Sequence, residues 1–325
     1  MKPIYLFFIL GSLTLFMPSC NKVNQIEEEQ ASYVVSLNFI GDISMSNETL
    51  TKGTATNDLY GINVWYNADK GSEISSVYAC GLFDNMDDMT ITLLSGYRYK
   101  FECTLIKDGK TRIMQDTPGW FLSPFNMQLE NTFVMGSRIS DIRSSQCAVI
   151  DESYSLQTHK LDRYYGELTD YEPTKNGTAY INLYRVSFGV KFIITGLVDD
   201  GTLFIRCRMW RNSSKETFLS LTTTDNMESE TSIFTFPYID DCWTRKDDYS
   251  QDGEVELYYT SNRGPAWDKS FTKDVYWKRN ILSTITINVS PDLSNASVSI
   301  TEETPDEDNE INVGINDNGT IETTE

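Results

Sequence analysis

Residue types on which common enzyme sites depend are scarce in this 325-residue sequence. It has one histidine, His159, which excludes a zinc site built on two histidines, and this lone side chain is expected on the surface or in a loop. The Gly-x-Ser-x-Gly elbow, the phosphate-binding loop and the dinucleotide fingerprint are also missing. Paired carboxylates for glycoside hydrolysis stay open, since 47 acidic residues allow many pairs. We therefore expect no enzyme, no metal and no cofactor.

Cysteine is sparse as well. Apart from Cys20, an odd number of cysteines remains at wide spacings, and none forms the C-x-x-C pattern of metal or redox sites. They are expected to be buried thiols, with at most one or two disulfides whose pairing the sequence leaves open; they are Cys80, Cys103, Cys147, Cys207 and Cys242. The Asp-Asp pairs at 87–88, 240–241 and 247–248 lack the alternation of an EF-hand loop and are expected to be solvated turns.

Basic residues are few beside acidic ones, with 27 Lys and Arg against 47 Asp and Glu and a formal charge of −20. Such a chain repels phosphates, which excludes a general affinity for nucleic acid. Residues 280–325 contain ten acidic residues and no Lys or Arg. This composition predicts a strongly charged tail behind a moderately acidic body.

The apolar run at residues 4–15, behind Lys2, is too short to span a bilayer and is typical of an export signal. Residues 17–20 (Met-Pro-Ser-Cys) then resemble a bacterial lipobox, in which the chain is cut before the cysteine and the thiol receives a lipid carrying palmitate. Cys20 is therefore the candidate lipidation site. Pro18 is unusual at its position, so cleavage by an ordinary signal peptidase is the main alternative.

The signal peptide would cover residues 1–19, and residues 20–30 would form a polar, lipid-anchored spacer. The glutamates at 27–29 loosely resemble the acidic signals that send some lipoproteins of the Bacteroides group to the cell surface, although a plain tether explains them as well. We expect an exported protein at the outer membrane or cell surface.

An all-β fold is predicted from composition and alternation together. Apolar residues make up 40% and aromatic residues 12%, and the many Tyr, Phe, Thr and Ser favour strands. No segment has a sustained helical period with caps at both ends, whereas Gly, Asp and Asn turns separate many short strands, as in β-sandwiches. The predicted strands cover 33–40, 59–66, 74–83, 89–94, 97–106, 133–139, 179–185, 186–195, 203–211, 216–222, 253–260 and 280–289.

Two tandem domains are predicted, because the roughly 300 residues behind the signal exceed what one core usually holds. The polar Pro/Gly stretch at 170–177 is the clearest seam. We expect an N-terminal β-sandwich at 31–172, a C-terminal β-sandwich at 173–301 and an acidic tail at 302–325.

The six tryptophans could form a platform that stacks on sugars, and ordinary core packing is the alternative. Trp243 and Trp267 lie among turn residues and are the better candidates for exposure. A cell-surface glycan-binding lipoprotein is therefore a second hypothesis for the function.

Several stretches resemble the fimbrillin family, lipoproteins that assemble into fimbriae of the Bacteroides group. In residues 50–66, a basic residue and small residues precede an acidic position and an alternating strand. Residues 162–166 and 179–197 are similar to the family segment that opens the C-terminal domain, and 278–289 to its late alternating strand. The order of these stretches, together with the lipobox, carries the resemblance.

The resemblance implies two tandem β-sandwiches and a structural or adhesive subunit, or an accessory protein, of a fimbria. It also implies strand exchange: a protease cuts after a basic residue behind the first strand, and a donor strand from another subunit fills the groove. The matching basic residue is Lys52, where many members carry Arg; an ordinary loop lysine is the alternative. The implied partners are other fimbrial subunits, the outer membrane through the lipid, and a host or bacterial surface ligand.

The acidic tail contains a candidate donor strand. Residues 302–310 are too charged to pack, so they are expected to be a solvated linker. Behind them Ile311, Val313 and Ile315 fall on one face at period two, as a donor strand requires. A frayed tail, or an edge strand of the chain's own domain, is the alternative.

Overall fold

The structure is a computed structural model that describes residues 30–45, 57–67, 72–150, 158–197, 201–211, 214–261, 269–289, 297–303, 313–315 and 321–323. The chain divides into Met1–Ala31 and a compact unit, Ser32–Glu325, and the described strands belong to the second. Strands dominate and the described helices are short, so the prediction of an all-β fold is confirmed. None of these helices is long and apolar enough to cross a membrane.

The first half of the compact unit is built mainly on one large sheet. Its described elements are β1 Ser32–Gly41, α1 Asp42–Met45, β2 Leu59–Tyr66, β3 Ser76–Phe83, the 3-10 turn Met86–Asp88, β4 Thr90–Leu94, β5 Tyr99–Ile106, α2 Gly109–Arg112, β6 Gln115–Thr117, β7 Trp120–Phe121, β8 Met127–Gln128, β9 Val134–Met135, β10 Arg163–Tyr171 and β11 Gly177–Arg185. The sheet has the strand order β4-β1-β11-β10-β5-β2-β3-β9. Its β1–β11 pair is parallel, and its other pairs are antiparallel.

This sheet curls over a core of its own. Phe39 of β1 and Tyr60 of β2 stack with ring centroids 5.4 Å apart, although three strands separate β1 from β2 in the sheet. Neighbouring strands lie about 4.8 Å apart, so this contact requires the two parts of the sheet to face each other. The shared core includes Val35, Leu37, Ile62, Val64, Ile91, Leu93, Phe101, Cys103, Leu105, Ile181 and Leu183.

A smaller second core covers another face of β2, β3 and β5. Leu59, Leu82 and Ile106 come from these strands, and the segment between β5 and β10 supplies most of the other residues, including Phe121 and Phe125. That segment also carries the three-stranded sheet β6-β7-β8. The first half is therefore layered rather than a simple two-sheet sandwich.

The second half is a β-sandwich. Its elements are β12 Ser187–Thr195, β13 Gly201–Arg211, β14 Ser214–Thr223, β15 Met227–Glu228, β16 Ser232–Thr235, α3 Ile239–Thr244, β17 Ser250–Ser261, β18 Lys269–Lys278, β19 Leu282–Asn288 and β20 Ser297–Glu303, followed by β21 Val313–Ile315 and β22 Ile321–Thr323. One sheet has the order β15-β12-β19-β20, with β16 also on β12, and the other has the order β14-β13-β17-β18. Residues from both sheets share one core, in which Phe188 lies against Phe218, Phe234, Phe236 and Trp277.

The boundary between the two cores lies later in the chain than the expected domain boundary at 172/173. That boundary falls between β10 and β11, which pair with each other in the large sheet. Ala179, Ile181 and Leu183 of β11 belong to the first core, whereas the second core consists of Tyr165 of β10 and of residues from Val186 onward. The polar stretch at 170–177 includes the turn that joins β10 to β11, so its composition marks a turn rather than a linker.

Three long strands were absent from the predicted set, namely β10, β18 and β20, and so were the short strands β6, β7, β8, β15, β16 and β22. The first four residues of β10, 163–166, are all buried, so no alternation marks this strand. The strand predicted at 133–139 is reduced to the two residues of β9.

Candidate functional site

The first strand, β1, is paired along both of its edges. It runs antiparallel to β4, with Val35 opposite Ile91, and parallel to β11, with Leu37 opposite Ala179. Beyond the ladder, the Asn176 side chain accepts a hydrogen bond from the Val34 amide at 2.9 Å. We call the space that β1 fills between β4 and β11 the β1 groove.

Alternate side chains of β1 fill the groove. Val35, Leu37 and Phe39 are at most 4% exposed and point into the first core. Val34 and Ile40 lie on the opposite face and are 46% and 44% exposed. This is the period-two pattern of a strand that is buried on one face only.

Gly41 and Asp42 end the strand in a fixed geometry. Gly41 has φ of +97°, a conformation that side chains rarely adopt. A Cβ there would lie 2.0 Å from Asn182 Oδ1 and 2.6 Å from the Leu183 carbonyl oxygen, so both the backbone and the space require glycine. The chain then enters α1, whose Ile43 is 1% exposed.

Asp42 connects the end of β1 to both halves of the molecule. Its Oδ2 accepts a hydrogen bond from the Arg185 amide at 2.9 Å and another from the guanidinium of Arg279. Arg279 also donates to the Arg185 carbonyl oxygen at 3.0 Å and to that of Lys246. Because Arg185 ends β11 and Arg279 precedes β19, Asp42 lies where the first core gives way to the second.

A charged cluster also lies between the first half and α3. Glu102, 5% exposed, pairs with Lys100 at 3.0 Å and with Arg143, which also pairs with Glu167 at 2.7 Å and Asp240 at 3.4 Å. Burial alone would raise the pKa of Glu102, but the charges of Arg143 and Lys100 outweigh it and hold the pKa below its ordinary value. Cavities of about 420 and 260 Å³ adjoin Arg143. Since the buried carboxylate is already paired, we interpret this cluster as a structural tie.

His159 and Arg163 form a buried structural centre that the sequence did not reveal. His159 lies in a loop, as expected, and is only 1% exposed. Its Nε2 accepts the Cys147 amide at 3.2 Å. Arg163 is fully buried and donates to the carbonyl oxygens of Ser144 and Ile142 at 2.6 and 2.7 Å. These bonds hold the loop in place, which explains the burial of both side chains.

Most of the predicted site residues lie outside the described residues. This holds for Cys20 with the whole signal peptide, for Lys52 and for Ile311. Val313 and Ile315 belong to β21, whose register pairs Val313 with Thr323 and Ile315 with Ile321 of β22. Lipidation, cleavage and donation by the tail therefore stay predictions.

Asp42 and Arg279 are the functional candidates that the sequence analysis missed. A signal was available for each, since Asp42 follows a glycine at the end of an alternating strand and Arg279 is the second residue of the 278–289 stretch. The sequence could not show that Asp42 and Arg279, which are 237 positions apart, form a hydrogen bond.

The described tryptophans do not form a shared platform. Trp243, expected to be exposed, packs edge-on against Tyr165 and Tyr184 with centroids 5.7 and 5.4 Å apart, and Trp267 lies outside the described residues. Trp277 is fully buried, whereas Trp120 and Trp210 are each 40% exposed.

Exposed aromatic side chains occur instead on the outward face of β13, β17 and β18, which we call the outer C-terminal face. Phe204 and Trp210 of β13 are both 40% exposed, and Tyr276 of β18 is 60% exposed. Tyr258 of β17 lies opposite Phe204 in the register, and Lys215 lies over the Trp210 ring at 4.6 Å.

The five cysteines behind Cys20 are all buried and none of them is in a disulfide, as the expectation of buried thiols requires (Cys80, Cys103, Cys147, Cys207 and Cys242). Burial raises the pKa of the Cys80 thiol to about 11 and raises those of Cys103 and Cys207 further. High thiol pKa values make these side chains poor nucleophiles.

No family model matches the sequence, and no curated protein matches it either. Similar solved structures include a suspected cell adhesion protein from Bacteroides eggerthii, at 10% identity and a TM-score of 0.40, with 85% of this chain and 96% of that chain covered. A suspected polysaccharide-binding protein from Bacteroides thetaiotaomicron has 12% identity and a TM-score of 0.39, with 86% and 100% covered.

The fimbrial anchor protein Mfa2 from Porphyromonas gingivalis is also similar, at 10% identity and a TM-score of 0.36, with 84% of this chain and 98% of that chain covered. At these identities and scores the three structures are likenesses only. The binding and assembly properties in their descriptions apply to those proteins.

Proposed function

We propose that this protein is a non-enzymatic subunit or accessory protein of a cell-surface fimbria, and that it assembles by strand exchange in the β1 groove. The observation that carries the proposal is the position of β1, which is the first strand of the compact unit yet lies between two neighbours in the sheet. A first strand has only one covalent connection to the remaining strands. A cut behind it would leave it held by non-covalent contacts alone.

Strand exchange follows from the chemistry of the emptied groove. Without β1, the facing edges of β4 and β11 would present unpaired N–H and C=O groups, and the pockets of Val35, Leu37 and Phe39 would be open. A donor strand satisfies both needs at once. Each apolar side chain that is buried again contributes about 1.5–3 kcal/mol.

Lys52 is the cleavage site in this proposal, because it lies between β1 and β2 at the position that the fimbrillin resemblance marks. Cys20 is the lipid anchor that holds the uncut protein at the outer membrane, and Ile311, Val313 and Ile315 are the residues that the tail donates to a neighbouring subunit. The partners are other fimbrial subunits and a surface ligand.

The decisive experiment uses the full chain with a site-specific protease sequence inserted behind Lys52. After cutting, a fluorescent peptide of residues 30–45 should replace the resident β1 while near-UV circular dichroism of the remaining chain persists. The uncut chain is the matched control and should not take up the peptide. If the cut chain also fails to take it up, or if it unfolds on cutting, strand exchange is wrong.

The tail is tested by deleting residues 311–325. The melting temperature of the monomer should stay nearly unchanged, and polymer formation with other subunits should decrease. A large loss of monomer stability would show that the segment belongs to its own fold.

The anchor is tested separately by Cys20→Ser, which should abolish fatty-acid labelling and release the protein from the membrane fraction. Fatty-acid labelling that persists in this variant would contradict the lipobox interpretation.

Glycan binding is the second candidate function, and the outer C-terminal face favours it because exposed aromatic rings on a sheet can stack on sugars. A fluorescence titration with a panel of polysaccharides should give saturable binding that Trp210→Ala abolishes. Trp120→Ala, equally exposed but in the first half, is the matched control. Binding that is lost equally in both variants would count against this face.

A further inference from the structure

We propose that Arg279 recognises a carboxylate at the end of the strand in the β1 groove, so that the groove selects incoming strands with an acidic residue behind the last inward-facing apolar residue. This inference rests on the proposed strand exchange, and it names a chemical requirement that the incoming partner must meet. In the resident strand, Asp42 supplies that carboxylate.

Arg279 is held in place without help from β1. Its guanidinium donates to the carbonyl oxygens of Arg185 and Lys246, and it lies over the Tyr184 ring at 5.8 Å. All three of these residues lie outside the segment that a cut at Lys52 would release. The arginine therefore stays at the end of the groove when β1 leaves.

Departure of β1 would remove the carboxylate from this site. Asp42 precedes Lys52, so it leaves together with β1. In the resident pair the Arg279 and Asp42 side chains are only 12% and 15% exposed, so their charge-assisted hydrogen bond is largely shielded from water. Asp162, a nearby acid, is already engaged in two hydrogen bonds with the guanidinium of Arg185, at 2.8 and 2.7 Å.

The spacing that an incoming strand must match can be read from β1 itself. Phe39 is the last residue to fill a pocket, and the carboxylate follows three positions later. Between them, Gly41 has positive φ and leaves no room for a Cβ beside the Leu183 carbonyl oxygen. The partner is therefore an extended segment with three alternating apolar residues and then a glycine followed by Asp.

Selectivity follows because the apolar pockets alone would accept many alternating strands. A charge-assisted hydrogen bond to a fixed arginine requires the acid at one register, and a slip by one residue would also turn the apolar side chains away from the pockets. Loss of such a bond weakens binding by about 10–100-fold.

The test uses the full chain cut behind Lys52 and labelled peptides of residues 30–45 that carry either Asp42 or the substitution Asp42→Asn. Fluorescence anisotropy should show the natural peptide binding about 10–100-fold more tightly than the Asp42→Asn peptide. In Arg279→Gln protein the two peptides should bind equally. Arg206→Gln is the matched control, since Arg206 lies on β13 and is 49% exposed, and it should retain the full difference.

A charge swap keeps the proposal open to refutation if Arg279→Gln folds poorly. Arg279→Glu protein should prefer an Asp42→Lys peptide to the natural one, and Arg279→Lys should retain part of the natural preference. Equal binding of the natural and Asp42→Asn peptides to the unsubstituted protein would overturn the proposal while leaving strand exchange intact. Failure of both peptides to enter would instead reject strand exchange itself.

Discussion

The opening strands of the two halves, β1 and β12, occupy similar places in their sheets. β1 runs parallel to β11, with Val35 to Gly41 opposite Gly177 to Leu183, and β12 runs parallel to β19, with Gly189 to Thr195 opposite Leu282 to Asn288. Each strand also has an antiparallel neighbour on its other edge. Backbone pairing alone would therefore not tell which strand can be exchanged.

Chain connectivity makes the difference between them. β12 follows β11 after the single residue Val186, so it cannot leave its sheet without pulling β11 out of the large sheet. β1 is connected to the remaining strands only through the residues behind α1. In the proposed strand exchange, covalent connections rather than weaker contacts therefore distinguish β1 from β12.

The largest loss of stability is expected for a substitution in β12. Phe188→Ala removes a fully buried ring that touches four other aromatic rings, and it should lower the free energy of unfolding by about 3–5 kcal/mol. Urea denaturation would measure this loss. Phe204→Ala, on the exposed face of β13, is the control and should change stability by no more than about 0.5 kcal/mol. Equal losses in both variants would contradict the assigned core.

A smaller effect of a different kind is expected in β1. Phe39→Ala should cost about 3 kcal/mol in the intact chain, because the stacked ring and its pocket are lost. In the chain cut behind Lys52, this variant should release β1 while the β12–β19 sandwich stays folded. Size-exclusion chromatography with mass spectrometry of the fragment would show it. Global unfolding of the cut variant would contradict the claim that β1, unlike β12, can leave without unfolding the rest of the chain.

Acid should weaken both halves, and Glu102 is one contributor in the first. Its pKa is held below the ordinary value, so its stabilisation is present above about pH 4.3, the value of an unfolded glutamate, and is lost as the pH falls through the lower folded pKa. In the second half, burial raises the pKa of Glu254, but hydrogen bonds from Lys215 and Arg208 outweigh it and leave the pKa lowered.

Glu102→Gln should therefore cost about 1–3 kcal/mol at neutral pH, and the difference from the unsubstituted protein should shrink below about pH 4. Melting temperatures between about pH 3 and 7 would measure both. The exposed Glu73 offers a control, since Glu73→Gln should change neither the stability at neutral pH nor its dependence on acid. A difference that grew in acid would refute the assigned direction of the Glu102 pKa.

At the lower end of the scale, release of β1 should not change the alkylation rate of Cys207. Cys103 lies in the first core and Cys207 in the second, both fully buried, and burial raises the pKa of each thiol. Release of β1 from the cut chain should speed alkylation of Cys103 and leave Cys207 unchanged. Mass spectrometry of labelled peptides would report both rates. Faster labelling at Cys207 would mean that the second half opens together with the groove.

Much of the strand content was predictable because alternation is a local property. The β2 segment, predicted at 59–66, has those bounds in the structure, and β1 differs by one residue at each end from the predicted 33–40. β10 was missed because its first four residues are all buried, which removes the alternation. Local patterns thus fail where both faces of a strand are covered.

The halves were harder to delimit than the strands. A polar stretch at 170–177 has the same composition whether it links two domains or turns between two paired strands. Only the pairing of β10 with β11 decides between these, and that pairing depends on residues far apart in the chain.

By itself, the sequence determined the all-β class, the alternating inward face of β1, the buried character of the cysteines and the absence of a two-histidine zinc site, since each follows from residue type or short-range period. Only the tertiary structure decided that β1 lies between β4 and β11, that His159 is buried and that Asp42 meets Arg279. The physical reason is that pairing partners, burial and ion pairs are set by residues that are distant in the sequence and are brought together only when the sheets curl and pack.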